Sequence, residues 1–145
     1  MRRVRILLVS PDPSARELMR VAVGSIERRL GEPLSFLDAV DGKQGATIGL
    51  REHPDAVVAG EIASRAGAFS LAKDLRGAPE PYLGPIVILL ERRHDQWLAR
   101  WSGADAWFVE PVDPFELADR LVELIGERRK GADAVRSAGE TRESA

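Results

Sequence analysis

Short apolar runs alternate with longer segments of helical period along the first 130 residues. VRILLV (4–9) is aliphatic and is followed by Pro11-Asp12-Pro13, which predicts a buried strand ended by a turn. PSARELMRVAVGSIERRL (13–30) places Leu18, Val21, Ala22, Ile26 and Leu30 at helical spacing. It predicts one helix with that stripe inward. Ser10 or Asp12 is placed to cap it, and Pro13 falls near its first turn. LSFLDAV (34–40) reads as a weaker strand nearer an edge. DGKQGATIGLRE (41–52) reads as a short helix opened by Asp-Gly and weakened by two further glycines.

The second half repeats the pattern. DAVVAG (55–60) is a third strand. AGAFSLAKDLRG (66–77) is a helix with Phe69, Leu71, Ala72 and Leu75 available to its inner face. GAPEPYLG (77–84) is a loop. PIVILLE (85–91) is nearly all aliphatic and so predicts a strand covered on both faces. RRHDQWLARWSG (92–103) is a short helix stopped at a glycine, and DAWFVE (105–110) is a fifth strand. DPFELADRLVELIGERRK (113–130) is an amphipathic helix with Leu117, Leu121, Leu124 and Ile125 inward. The remainder, GADAVRSAGETRESA (131–145), is small and polar without apolar periodicity. A disordered tail is expected there, leaving 1–130 as one domain.

Five strands alternating with five helices predict an α/β protein with a parallel sheet covered on both sides. The natural closure is a flavodoxin-like (βα)5 three-layer sandwich of strand order 2-1-3-4-5. Function in such sheets gathers beyond the carboxyl ends of the strands, here near Ser10, Gly60, Glu91 and Glu110.

Composition narrows the chemistry. The chain of 145 residues has a formal net charge of -2, so no overall basic field favours nucleic acid. It has no cysteine and two histidines, His53 and His94. Disulfides, thiolate nucleophiles and cysteine- or histidine-rich metal clusters are thereby excluded. The apolar run from Ile6 to Val9 is too short for a signal sequence, and nothing approaches a membrane span. A cytoplasmic protein is expected. GSIERRLGEPLS (24–35) lacks the spacing of a phosphate loop, and the basic residues of RRH (92–94) with Arg100 read as a solvated face.

Four stretches carry a resemblance: RILLVSPDPSARELM, AVDGKQGATIGLREHPDAVVA, GPIVILL and GADAWFVEPVDPFELADRLVELI. The most specific is the run Gly-Ala-Asp-x-aromatic-x-x-x-Pro-x-x-Pro-x-Glu-Leu. Over about residues 4 to 127 the chain resembles the receiver domain of two-component response regulators. The resemblance implies an acidic pair after strand 1 that holds a divalent cation and an Asp ending strand 3 that accepts phosphate. It also implies a Thr or Ser ending strand 4 and a Lys before a Pro after strand 5. Phosphoryl transfer needs these parts because it is mostly positioning and charge compensation.

Each of those positions is substituted here. The acidic pair falls on Ser10 and Pro11, leaving Asp12 as the one acid of the motif. The acceptor falls on Gly60, the Thr/Ser on Leu90 and the Lys on Glu110, directly before Pro111. Magnesium prefers carboxylates placed together, which Ser10 and Pro11 do not supply. A phosphate beside Glu110 meets repulsion of roughly 4 kcal/mol for unit charges ~4 Å apart at an effective dielectric near 20. A degenerate pseudo-receiver is therefore expected, with no catalytic residue, metal or cofactor.

Some acids keep two readings. Glu61 is a solvated loop carboxylate or, if the strand end bulges, a pocket group that imitates a phosphorylated Asp. The solvated reading is preferred. Asp12 reads as a helix cap, and Glu110 as one half of a surface ion pair with Arg92 or Arg93.

All three tryptophans lie between residues 97 and 107. Trp97 and Trp101 are four apart and share a helix face, whereas Leu98, Ala99 and Ser102 better fit the face toward the sheet. Trp107 falls at the aromatic switch position that the resemblance implies. Tryptophan concentrates at interface hot spots. The expected contact face is thus the fourth predicted helix, the fifth strand and the fifth predicted helix. Its expected partner is another signalling protein or a second copy of the chain, not nucleic acid or membrane. The competing reading is a ligand-responsive switch holding a small molecule in the vacated pocket. A flavodoxin-fold enzyme lacks support, since no nucleophile–base pair or glycine-rich loop is present.

Overall fold

The computed structural model describes residues 3–61 and 67–144, with side chains described through 135. The described residues form five strands and six α-helices. In chain order these are β1 (Val4–Val9), α1 (Pro13–Val23), α2 (Ile26–Leu30), β2 (Leu34–Ala39), α3 (Gly42–Glu52), β3 (Ala56–Gly60), α4 (Ala68–Gly77), β4 (Ile86–Leu90), α5 (Gln96–Ser102), β5 (Ala106–Val109) and α6 (Pro114–Ser144). A 3-10 turn, Arg93–Asp95, leads into α5. The expected first residue of α4, Ala66, lies outside the described residues.

The strands pair in parallel in the order β2-β1-β3-β4-β5, the flavodoxin-like arrangement expected from the sequence. β3 and β4 are buried throughout because helices cover both faces. Alternation along the strands divides the core into two layers. Ile6, Leu8, Val58 and Val87 meet Met19, Val23 and Ile26 of α1 and α2, with Leu117 and Leu121 of α6. Leu7, Val57, Ile88 and Leu90 meet Leu71 and Leu75 of α4, with Ala99 of α5. Two glycines of α3 serve this second layer: a Cβ on Gly49 would stand 2.8 Å from Leu75 Cδ2, and one on Gly45 3.2 Å from Leu71 Cδ1. The residues that weaken α3 as a helix let it lie close against α4.

Three expectations are corrected. The helix predicted over 13–30 is two helices, broken at Gly24 and Ser25, where the Gly24 N–H turns back to Val21 O at 3.3 Å. The inward stripe is kept in part: Ile26 is buried and Ala22 and Leu30 pack against the core, but Met19 and Val23 are buried where Leu18 and Val21 were expected, and these are 71% and 72% exposed. Both sets have helical spacing, and the sheet selects the residues whose side chains fill the gap between β1, β3 and α6.

Finally, α6 runs to Ser144, beyond the helix end expected at 130. Polar composition argues against burial, not against helix, and Ala, Glu and Arg are good helix formers. Residues 131–135 are all exposed. Among the described residues, no helix is long and apolar enough to cross a membrane.

Candidate functional site

The ends of β1, β3, β4 and β5 converge at one edge of the sheet. Ser10 follows β1 and is buried there, its N–H donating to Ala39 O at 3.0 Å. Its Oγ accepts from the Asp12 N–H at 3.2 Å, and its carbonyl accepts from the Arg16 guanidinium. Pro11 is exposed. Asp12 is exposed too and caps α1, its Oδ1 accepting from the Ser14 N–H at 2.9 Å. The side chains after β1 thus serve the local turn and the helix end.

Gly60 closes β3 and is buried. A Cβ there would meet Met19 Cε at 3.6 Å and Val9 O at 3.9 Å, so the Met19 side chain stands over the position. Leu90 closes β4, fully buried in the layer of α4 and α5. Glu110 follows β5, exposed, its N–H donating to Leu90 O at 2.8 Å.

Glu61 does not replace a missing side chain at Gly60. The register of β3 against β4 is regular from Val57 to Gly60, so no bulge shifts the strand end. Successive residues face opposite sides of a sheet, and Gly60 belongs to the side of α1. The Glu61 carboxylate instead reaches β4, Oε2 accepting from the Glu91 N–H at 2.8 Å.

The electrostatics of this edge are acidic. Partial burial, then a side-chain hydrogen bond with Asp95, hold the Glu61 carboxyl well above the usual carboxylate range, at about 7, against the lowering pull of the Glu91 N–H. Partial burial and then the nearby Glu91 also raise Glu110. The described residues give Glu110 no ion pair with Arg92 or Arg93. Its charged neighbour is Glu91, because β4 and β5 end side by side in parallel register.

A divalent cation does not fit these residues. The side-chain donors nearest the cleft are a hydroxyl accepting from a backbone N–H and a carboxylate turned to a helix cap. Among the described residues, no three of His, Asp and Glu gather as a ligand set.

The tryptophans separate. Trp97 is 64% and Trp101 61% exposed on α5, whose Ala99 and Ser102 are buried. Trp101 leans toward α4, with the Lys73 ammonium 3.9 Å from its ring centroid. Trp107 is half-buried on β5 beneath the Arg100 guanidinium, 5.8 Å from its ring centroid. Trp97 and Trp101 thus stand exposed on α5, and Trp107 is half-buried on β5 beneath Arg100 of that helix.

A second surface was missed by the sequence reading. Between α1 and the start of α6 lies an apolar groove of about 350 Å³, lined by Ala15, Leu18, Met19, Leu89, Pro111 and Leu117. The available signal was the second apolar set of α1, Leu18 and Val21, left over once Met19 and Val23 are placed in the core.

A doubly wound parallel sheet of order β2-β1-β3-β4-β5 is the flavodoxin-like arrangement. No family model matches the chain. It is 33% identical over 129 residues to the uncharacterized response regulatory protein Rv3143 of Mycobacterium tuberculosis, covering 84% of this chain and 91% of that one. The chain belongs to the response regulators of two-component signalling, as a receiver domain. Solved structures agree in fold. The receiver domain of the Francisella response regulator 1452 superposes with a TM-score of 0.71 at 20% identity, covering 86% of this chain and 98% of that one. The receiver domain of the Pseudomonas aeruginosa sensor histidine kinase PA1611, which has magnesium coordinated in its active site cleft, gives 0.68 at 21% identity, covering 86% and 99%.

Proposed function

We propose that the protein is a non-enzymatic pseudo-receiver in the cytoplasm that signals by protein contact and not by phosphorylation. The observation that carries this reading is the joint substitution at Ser10, Pro11, Gly60, Leu90 and Glu110, in a fold that otherwise keeps the strand order and strand ends. Incubation with acetyl phosphate and magnesium, followed by intact mass, is expected to return unmodified protein. A single added phosphate would refute the proposal.

Contact is assigned to the face of α5, β5 and α6. Trp97 and Trp101 are its exposed anchors, and Trp107 lies beneath. A surface indole beside a cationic side chain suits a protein interface better than a solvated face. The partner is a signalling protein or a second copy of the chain. Light scattering after size exclusion, repeated on Trp97→Ala/Trp101→Ala, reads self-association, and pull-down reads the heterologous partner. Binding or self-association unchanged by the double substitution would remove this face from the proposal. The stable domain is assigned to residues 1–130, with the rest of α6 adding nothing to its stability. Truncation after 130 is expected to leave the melting temperature unchanged.

A second reading, a ligand-responsive switch, rests on the apolar groove that shares Met19 with the cleft. A small apolar molecule there would raise the melting temperature in a thermal-shift screen.

A further inference from the structure

The guanidinium of Arg129, on α6, is only half used. Its side chain is 19% exposed, and Nη1 stands 2.7 Å from Oε2 of Glu32, in the turn after α2. Its Nε and Nη2 are buried and have no hydrogen-bond partner among the described residues. Those two nitrogens form one edge of the planar fork, the edge that holds a carboxylate or a phosphate through two parallel hydrogen bonds. A strut between α6 and Glu32 needs Nη1 alone. Burying two further donors of a cation unpaired costs stability, so this edge calls for an anion. The side chains outside the description do not supply one. Residues 1–2 and 62–66 include no acid, and the first acid beyond 135, Glu140, lies about three turns further along α6, roughly 16 Å of helix rise.

Arg129 also lines a cavity of about 410 Å³ at the amino ends of β3 and β4, the edge of the sheet opposite Ser10 and Gly60. Pro54, Pro81, Leu83 and Ile125 give it an apolar wall, and Arg128 joins Arg129 on its basic side. Asp55 is the one acid among the lining residues, and its Oδ2 already accepts from the Arg5 N–H at 2.8 Å. The walls are fastened by the chain itself. Tyr82 Oη donates to Pro54 O at 2.8 Å, and the Arg76 guanidinium donates to Tyr82 O at 2.7 Å and to Gly84 O at 2.9 Å. A preformed cavity of this size, with an apolar wall and a few polar groups, has the form of a small-molecule site.

We propose that this cavity binds a small organic anion, whose phosphate or carboxylate group takes the free edge of Arg129 and whose apolar body lies against Pro54, Pro81 and Leu83. Bound there, the anion ties the loops before β3 and β4 to α6, next to Ala132, where the helix residues become exposed. The site lies at the far end of the sheet from Gly60 and Glu110. It depends neither on the contact face of α5 nor on the absence of phosphorylation.

The test is a nitrogen-15 NMR titration of the full chain with inorganic phosphate, phenyl phosphate and benzoate at constant ionic strength. Saturable shifts are expected at the amides of His53, Asp55, Leu83 and Ala132. At least one of the two organic anions is expected to bind more tightly than inorganic phosphate, because its ring meets the apolar wall. Comparing phenyl phosphate with benzoate tells which oxoanion the fork takes. Arg129→Lys keeps the charge and loses the edge, and should weaken that anion at least roughly tenfold. Glu32→Gln/Arg129→Gln removes both charges of the ion pair together, so it is expected to fold and to lose binding. Glu32→Gln alone should bind at least as tightly as the wild type, since the fork loses a competing anion. Absence of saturation with all three probes, or shifts centred on residues 10–12, 60–61 or 110–112, would overturn the site. So would organic anions binding no tighter than inorganic phosphate, or affinity unchanged in Arg129→Lys or in the double variant.

Discussion

Met19 Cε lies 3.6 Å from the point at which a Cβ on Gly60 would stand. The space over the end of β3 is therefore lined by a flexible thioether, which packs against whatever is offered. Gly60→Asp is sterically admissible, since both contacts of the new Cβ are of ordinary van der Waals length. It is expected to fold with a stability loss of about 1–3 kcal/mol from placing a carboxyl beside Met19 and the Val9 carbonyl. It is still expected to take no phosphate from acetyl phosphate and magnesium, because Ser10 and Pro11 bring no carboxylate and Glu110 opposes the anion. Intact mass reads this directly. A phosphorylated Gly60→Asp would show that the acceptor alone had been missing.

The two apolar sets of α1 are expected to differ sharply in cost. Met19→Ala removes a buried side chain from the layer between α1 and the sheet and should lower stability by about 2–4 kcal/mol. Leu18→Ala, at a position 71% exposed, should change it by no more than about 0.5 kcal/mol. Urea unfolding monitored by circular dichroism separates the two.

Glycine within a helix costs about 1 kcal/mol relative to alanine, but the remedy depends on what surrounds it. Gly126→Ala in α6, with nothing within 4 Å of the new Cβ, should raise stability by about 0.5–1 kcal/mol. Gly49→Ala in α3 drives a methyl to 2.8 Å from the buried Leu75 Cδ2. Overpacking of about 1–3 kcal/mol outweighs the propensity gain there, so its melting temperature should fall. An increase for Gly49→Ala would mean that Leu75 rotates away without loss.

Stability should decline from acid toward neutral pH at the strand ends. Glu61 titrates at about 7 in the folded chain against 4.5 for an ordinary glutamate. Folded protein thus binds more protons than unfolded across that window, and its stability falls as pH rises. The contribution is complete below about pH 4.5 and gone above about 7. Glu110, also raised, acts in the same direction. Chemical denaturation at pH 6 and 8 should show a smaller pH dependence in Glu61→Gln than in the wild type.

Elements whose pattern admits one solution were legible in the chain. The aliphatic run before Glu91 has too few polar positions to be anything but a covered strand, and β4 is buried throughout. The alternation of five such runs with helices leads to the 2-1-3-4-5 sheet. The outward facing of Leu18 and Val21 was not legible, since Leu18 and Met19 begin equally good stripes.

The identity of each residue at the strand ends was determined by the sequence alone, as covalent composition does not depend on packing. Where those residues point was decided by the tertiary structure. The regular pleat of β3 turns Glu61 away from α1, and its carboxylate meets the Glu91 N–H at 2.8 Å. That hydrogen bond joins positions 30 residues apart, which the order of β3 beside β4 brings together. The partner a side chain finds depends on distance and burial, neither of which local sequence encodes.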